Sequence, residues 1–361
     1  MVRNLASLST LACFLLLSAC TKAPEASTSA APAAAPAELR IFTWSEYFDD
    51  EFLRAFSERN NIKVKADYFS NNEEMLAKLQ LLGKDSGYDL ILPSDYMVRT
   101  LVEMNMLQPL DKAKLPVLAE FEAEALNPDY DPGLKFSVPL AVGATGIAVN
   151  TKLLPKLSGV KELRWTEILE NPAYRGKITM LDDPKEVLQV VLIIQGKKIT
   201  TATEADVKEA FAYLKQHKGQ IKGFPSETRP VVEADECGIC MIYSGDALSV
   251  AKEKKEIHFV LPSEGATIWT DNLAIPTNAR NVDGAYKFVN DLLAEAGAKS
   301  FTQRTGYRTA NKKARASLPK EITENRVIYP TLEDRKKMSF LVHRKDLAAL
   351  IDREWALLKS Q

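Results

Sequence analysis

From Leu39 onward the hydrophobic positions switch repeatedly between two spacings. LRIFTW (39–44) is an apolar run of strand length, and Phe48, Phe52 and Phe56 then recur every four residues, the apolar stripe of a helix. IKVKADYF (62–69) predicts a second strand. NNEEMLAKLQLLGKD (71–85) predicts a second helix, with Asn71 or Asn72 as its cap and Met75, Leu79 and Leu82 on one face. YDLILPS (88–94) is a buried strand ending in a Pro-Ser loop. After a loop-rich stretch the alternation resumes. Strands are expected at FSVPLAV (136–142), GIAVNT (146–151), KITML (177–181), CGICMIYS (237–244), IHFVLP (257–262) and NLAIP (272–276). Helices are expected at 184–196, 204–217 and 246–256, as one long helix over 284–305, and at the end of the chain over 345–360. Such alternation implies parallel strands flanked by helices, and an α/β architecture with two sheets is expected.

The residues before Leu39 do not share this pattern. Arg3 is followed by an apolar run from Leu5 to Leu17, too short to span a bilayer, which ends in Leu17-Ser18-Ala19-Cys20. Small residues ahead of a cysteine resemble a bacterial lipobox, so residues 1–19 are expected to be a lipoprotein signal peptide and Cys20 the lipidated residue. Residues 20–38, rich in Ala, Pro, Ser and Thr, have no apolar periodicity and are expected to be a disordered tether. A lipid site followed by a tether is what a membrane-anchored globular domain needs. Which membrane carries it stays open.

With 361 residues and 46% hydrophobic content the chain is long enough for two domains. A formal net charge of −1 gives no footprint for nucleic acid, and the densest basic run, Lys252, Lys254 and Lys255, is interrupted by Glu253 and Glu256. Once Cys13 and Cys20 are set aside, Cys237 and Cys240 remain as C-G-I-C. In an exported protein they could pair, but CGICMIYS reads as a buried strand, where residues three apart face opposite ways. Two buried thiols are therefore expected. His217, His258 and His343 lie far apart without metal-ligand spacing, so no metal and no cofactor is expected.

The chemistry gathers where strands end, the position at which open α/β sheets bind ligands. Trp44-Ser45-Glu46-Tyr47, Ser94-Asp95-Tyr96, Asp182-Asp183-Pro184-Lys185-Glu186, Tyr243-Ser244-Gly245-Asp246 and Trp269-Thr270-Asp271 each follow an apolar run. Aromatic faces attract ammonium groups, worth roughly 0.5–2 kcal/mol each, and carboxylates form charge-assisted hydrogen bonds to them. An aliphatic amine with a pKa of about 10 stays charged at neutral pH. The combination suits a linear organic cation. Taken one at a time, these residues also have plain structural uses: Trp269 or Tyr307 as core, Asp183 or Asp271 as helix cap or surface acid, Glu186 and Asp246 as solvated helix charges.

At these same positions the chain resembles the bacterial spermidine/putrescine-binding proteins, receptors of polyamine ABC importers. The resemblance runs from Leu39 to about Tyr329. It rests on F-T-W-S-E-Y (42–47), Y-D-L-I-L-P-S (88–94), V-G-A-T-G-I-A-V-N (142–150), L-D-D-P-K-E-V (181–187), M-I-Y-S-G-D-A (241–247), W-T-D-N-L-A-I-P (269–276) and T-G-Y (305–307). It implies a two-lobed periplasmic-binding-protein fold, with a ligand cleft between lobes joined by crossover strands. Lobe one would be 39–145 plus 269–315, and lobe two 146–268 plus 316–361. By the resemblance Trp44, Tyr47, Tyr96, Trp269 and Tyr307 box a methylene chain, and Asp183, Glu186 and Asp271 hold ammonium groups. Ser45, Ser94 and Ser226 add hydroxyls, and Tyr243 stands where the family has tryptophan. Two departures bear on selectivity: Asp246 matches putrescine-binding members, and Leu341 replaces a glutamine that contacts spermidine.

The expected function is extracytoplasmic polyamine binding, spermidine over putrescine, with delivery to an ABC importer. The expected partners are a small polyamine, permease subunits of the inner membrane and the membrane itself through the lipid anchor. The chain is expected to be a monomeric, periplasmic, membrane-anchored lipoprotein without a nucleic-acid partner. Catalysis is not expected, because no nucleophile elbow, phosphate loop, dinucleotide fingerprint or metal cluster is present. The competing expectations are a polyamine sensor feeding a membrane signalling partner, and a binding protein for another amine or an amino acid. Arginine at the cleft would favour an amino acid, and Arg229 and Arg308 lie near the matched segments.

Overall fold

Ten strands make one hydrogen-bonded network among the described residues, 37–45 and 47–360 of the computed structural model. They are β1 (Ala37–Trp44), β2 (Ile62–Phe69), β3 (Leu90–Ile91), β4 (Ser137–Asn150), β5 (Ile178–Thr179), β6 (Ile221–Gly223), β7 (Ile239–Tyr243), β8 (Ile257–Val260), β9 (Ala266–Ala274) and β10 (Met338–Ser339). The order is β2-β1-β3-β9-β4-β7-β5-β6, with β8 beside β4 and β10 beside β9. The expected signal peptide and Cys20 lie outside the described residues. The expected tether lies outside them too, except for its last two residues. β1 already includes Ala37 and Glu38, which pair in parallel with Ile62 and Lys63, and Glu38 forms an ion pair with Lys65.

The two expected sheets are joined because the two strands predicted over 136–151 are a single one. Fourteen residues long, β4 pairs antiparallel with β9 from Ser137 to Thr145 and with β7 from Thr145 to Val149. Gly143, in the gap between the two expected strands, belongs to the strand, and its missing side chain makes room for the Trp269 ring opposite. β9 likewise runs unbroken from Ala266, so Trp269 and Asp271 sit in the middle of a strand and not at its end.

Parallel strands lie on either side of this junction. β1 pairs with β2 and β3, and β5 pairs with β6 and β7. Each set is covered on both faces, as parallel strands require. Leu39 and Ile41 of β1 enter one core with Phe56, Leu92, Val138, Leu273 and Phe288, while Phe42 enters another with Phe69, Met75, Tyr88 and Met97. Ile239 and Met241 of β7 join Ile178, Val187, Val191, Phe211 and Leu214, while Cys240 and Ile242 face Val232 and Val250. The final helix, Lys345–Lys359, turns Leu347, Ile351, Trp355 and Leu358 into the core around β7.

The long helix expected over 284–305 is two, Val282–Leu293 and Glu295–Thr305. Ala294 between them is extended, with φ −60° and ψ 160°. Gly297 lies against the Asp291 and Leu292 carbonyls, too close for any side chain, and this allows the tight corner.

Cys237 and Cys240 form a disulfide, contrary to the expected pair of thiols. The strand begins only at Ile239, so the alternation argument does not reach Cys237. The Gly238 and Ile239 amides both donate to the Lys177 carbonyl, at 2.9 and 3.1 Å, and the chain turns there. The two Cα atoms stand 6.0 Å apart, within disulfide reach.

Candidate functional site

Four strand ends and the middle of β9 open onto one cavity of about 170 Å³. All thirteen residues singled out in the sequence line it: Trp44, Ser45, Tyr47, Ser94, Tyr96, Asp183, Glu186, Ser226, Tyr243, Asp246, Trp269, Asp271 and Tyr307. The cavity lies past the carboxyl ends of β1, β3, β5 and β7, where the loops into the following helices begin. Trp269 and Asp271, two residues apart on β9, point to the same side.

The aromatic residues make a continuous wall. Ring centroids are 5.9 Å apart from Tyr47 to Tyr307, 5.0 Å from Tyr307 to Trp269 and 5.7 Å from Trp269 to Tyr243, the last two pairs edge-to-face. Trp44 is braced by Phe69 at 4.4 Å. Gly245, at the start of the helix Ser244–Glu253, has its Cα against the Tyr307 ring and the Thr305 carbonyl, so no larger residue fits there.

The carboxylates are held by specific donors. Asp271 accepts from Ser94 Oγ at 2.6 Å and from the Tyr47 hydroxyl. Asn72 orients Ser94, donating from Nδ2 to its oxygen at 3.0 Å and accepting from its amide at 3.0 Å. Asp183 does cap a helix: its Oδ1 accepts from the Lys185 and Glu186 amides at the start of Pro184–Ile194. The plain structural use and a place in the cavity therefore coincide. One turn in, Glu186 is buried, accepts from Thr145 Oγ1 at 2.8 Å, and leaves Oε2 without a hydrogen-bond partner.

Burial dominates the electrostatics. It pushes the Glu186 carboxyl up to about 8, with neighbouring Asp183 adding and the hydroxyls of Thr145 and Thr267 opposing. Burial lifts Asp271 to about 6 against its two hydrogen bonds, and lifts Asp183 against the charge of Lys185. Asp95 lies behind the wall, accepting from the Thr270 and Tyr96 amides, and is raised to about 7 by burial. Six carboxylates and one guanidinium line the cavity. Such a surface is complementary to a cation that is apolar between its charges.

Some lining residues were not singled out. Asn72 was considered only as a cap, but Asn71 takes that role, accepting from the Glu74 amide at 2.8 Å. Phe69, Leu181 and Thr228 also line the cavity, as do Leu341, noted as a departure, and Arg229, noted for its nearness to the matched segments. Of the two arginines that would favour a carboxylate ligand, Arg229 lies at the cavity and donates to Glu233 at 2.7 Å. Arg308 lies elsewhere, paired with Glu122 and Glu124. Lys185 forms an ion pair with Glu73 and stands 5.4 Å from the centre of the Tyr96 ring. Among the described residues no group of three or more His, Cys, Asp or Glu side chains could hold a metal ion.

Residues 51–328 match the family described as bacterial extracellular solute-binding protein. The chain is 37% identical over 320 residues to spermidine/putrescine-binding periplasmic protein 1 of Haemophilus influenzae, covering 88% of each. It is 34% identical over 300 residues to the spermidine/putrescine-binding periplasmic protein of Escherichia coli, covering 82% of this chain and 84% of the other. Among solved structures it is similar to the spermidine/putrescine ABC transporter substrate-binding protein of Streptococcus pneumoniae. That structure has a TM-score of 0.76 at 28% identity, over 90% of this chain and 99% of the other.

Proposed function

This chain belongs to the family of bacterial extracellular solute-binding proteins, with their two-lobed fold, and we propose that it captures a linear polyamine and delivers it to an ABC importer. The observation that carries the proposal is the juxtaposition in one cavity of buried Asp183, Glu186 and Asp271 with the wall Tyr47–Tyr307–Trp269–Tyr243. The relatives named for spermidine and putrescine support the same ligand class. The aromatic wall, with Trp44 and Tyr96, packs the methylenes. Asp183, Glu186, Asp271 and Asp246 pair with ammonium groups, and Ser45, Ser94 and Ser226 contribute hydroxyls.

Spermidine is the favoured ligand. Four carboxylates face two charges in putrescine and three in spermidine, so the longer amine leaves less buried charge uncompensated. Asp246 and Leu341 act the other way, and the two ligands are expected to compete for one site. Binding proceeds without chemistry: the ligand bridges lobe one (39–145 plus 269–315) and lobe two (146–268 plus 316–361), and the closed form engages permease subunits. Residues 1–19 direct export, Cys20 carries lipid, and residues up to Pro36 tether a monomeric binding unit to the membrane.

Calorimetric titration of the form beginning at Thr21 with spermidine, putrescine, cadaverine and arginine tests this. Micromolar or tighter binding of a polyamine, with spermidine first, is expected. Arginine binding with no response to the amines would overturn the ligand class.

A further inference from the structure

Thr270 stands between Trp269 and Asp271, whose side chains both reach the cavity, while its own points to the opposite face of β9. Opposite Thr270 in β4, Val142 donates to and accepts from Arg308, so the Thr270 amide and carbonyl face the other way, toward β3. β3 stops short of them. It is two residues long and pairs with β9 at Ile91 and Ala274, and the chain then passes through Pro93 into the helix Asp95–Glu103.

Side chains take the place of the missing strand. The Thr270 amide donates to Asp95 Oδ2 at 2.8 Å. The Thr270 carbonyl accepts from Asn272 Nδ2 at 2.9 Å, and Asn272 is itself held by the Tyr130 hydroxyl. Beside these bonds, the Asn272 amide donates to the Pro93 carbonyl and Ser94 donates to Asp271. Residues 93, 94 and 95 thus meet 272, 271 and 270 in order.

An acid at the start of a helix has a plain structural use, and Asp95 Oδ1 does accept from the Tyr96 amide at 2.6 Å. Such acids ordinarily stay in water. Asp95 is 2% exposed, and its second oxygen leaves the helix for β9. Without that oxygen a buried strand amide would lose its acceptor, which native structures avoid. We propose that Asp95 is a positioning residue for ligand capture: by holding the peptide that joins Trp269 to Thr270, it sets how the indole and the Asp271 carboxylate meet the ligand. This role rests on polyamine binding at the cavity.

Amide hydrogen exchange and calorimetry on the form beginning at Thr21 test it. In the unaltered, ligand-free chain the Thr270 amide is expected to exchange slowly; exchange at the rate of an unstructured peptide would overturn the proposal. Asp95→Ala and Asp95→Leu, one small and one close to aspartate in size, both remove the acceptor. Whichever of them folds should speed exchange at Thr270 and weaken spermidine binding about tenfold. Asp95→Asn keeps an oxygen for the Thr270 amide and should bring affinity back to within about threefold of the original. A purely structural role predicts a lower urea midpoint with affinity unchanged, and that result counts against the proposal. So does an Asp95→Asn chain that binds as weakly as the acceptor-free variants, since charge and not the hydrogen bond would then be at work. If the unaltered chain binds no polyamine, the ligand assignment itself fails, and this role fails with it.

Discussion

Ser94 donates its hydroxyl proton to Asp271 across 2.6 Å, joining the end of β3 to the middle of β9 over 177 residues of sequence. With Tyr47 donating to the other carboxylate oxygen, Asp271 is fixed in place and partly compensated before any cation arrives. Asp271→Asn removes the charge and keeps the shape. It is expected to weaken polyamine binding by about 2 kcal/mol or more, near thirtyfold in Kd, as read by calorimetry. Unchanged affinity would mean that the ligand lies elsewhere.

The raised carboxyls make stability and binding depend on pH. A carboxyl whose folded pKa exceeds its unfolded value binds more protons folded than unfolded between the two, so stability falls as pH rises through that window. For Glu186 the window runs from 4.5 to about 8, and Asp271 and Asp95, at about 6 and 7, act in the same sense. The melting temperature of the polyamine-free protein is therefore expected to fall from about pH 5 to about pH 8, and Glu186→Gln to flatten that fall. A flat profile in the unaltered protein would contradict the burial of these groups.

The same groups predict proton release on binding. An ammonium beside Glu186 favours its carboxylate form, so near neutral pH the proton leaves as the ligand enters. Calorimetric heats measured in two buffers of different ionisation enthalpy should differ, and affinity should rise severalfold as the pH approaches about 8. Equal heats in both buffers would show that Glu186 is already ionised.

Two glycines set the position of the aromatic wall. A methyl group on Gly143 meets the Trp269 indole, and one on Gly245 meets the Tyr307 ring and the Thr305 carbonyl. Each alanine substitution is expected to destabilise the fold by about 1–3 kcal/mol through overpacking and to weaken polyamine binding, Gly245→Ala more because a backbone carbonyl cannot move aside. Urea midpoints and calorimetry read the two effects separately.

The Cys237–Cys240 disulfide closes a very short loop, for which the chain-entropy relation gives roughly 2 kcal/mol. The double substitution to serine should lower the urea midpoint by about that much and leave polyamine affinity near its original value, since neither sulfur lines the cavity. Two free thiols in the untreated exported protein, counted by mass after alkylation under denaturing conditions, would exclude the bond.

Spacing and residue type were enough to indicate the alternation of strands and helices from Leu39 on, and the acidic and aromatic clusters beside apolar runs. The full set of thirteen, Ser226 among them, followed from the resemblance to polyamine-binding proteins. Apolar periodicity is a local property, and most of the aromatic and acidic residues stand where strands stop, with Trp269 and Asp271 in the middle of β9 as the exceptions. The tertiary structure alone decided how those runs join. β4 and β9 pass unbroken through Gly143 and Trp269 because each makes room for the other across the sheet, which no window along the chain can show. The break at Ala294 depends on Gly297 meeting carbonyls of the preceding helix, and the disulfide depends on a turn made by two amides sharing the Lys177 carbonyl. Asn72, assigned locally to a helix cap, became the support of Ser94 because the fold brought β3 beside it. The balance of charge at Arg308 likewise exists only in three dimensions, since the glutamates that answer it, Glu122 and Glu124, belong to a distant segment of the chain.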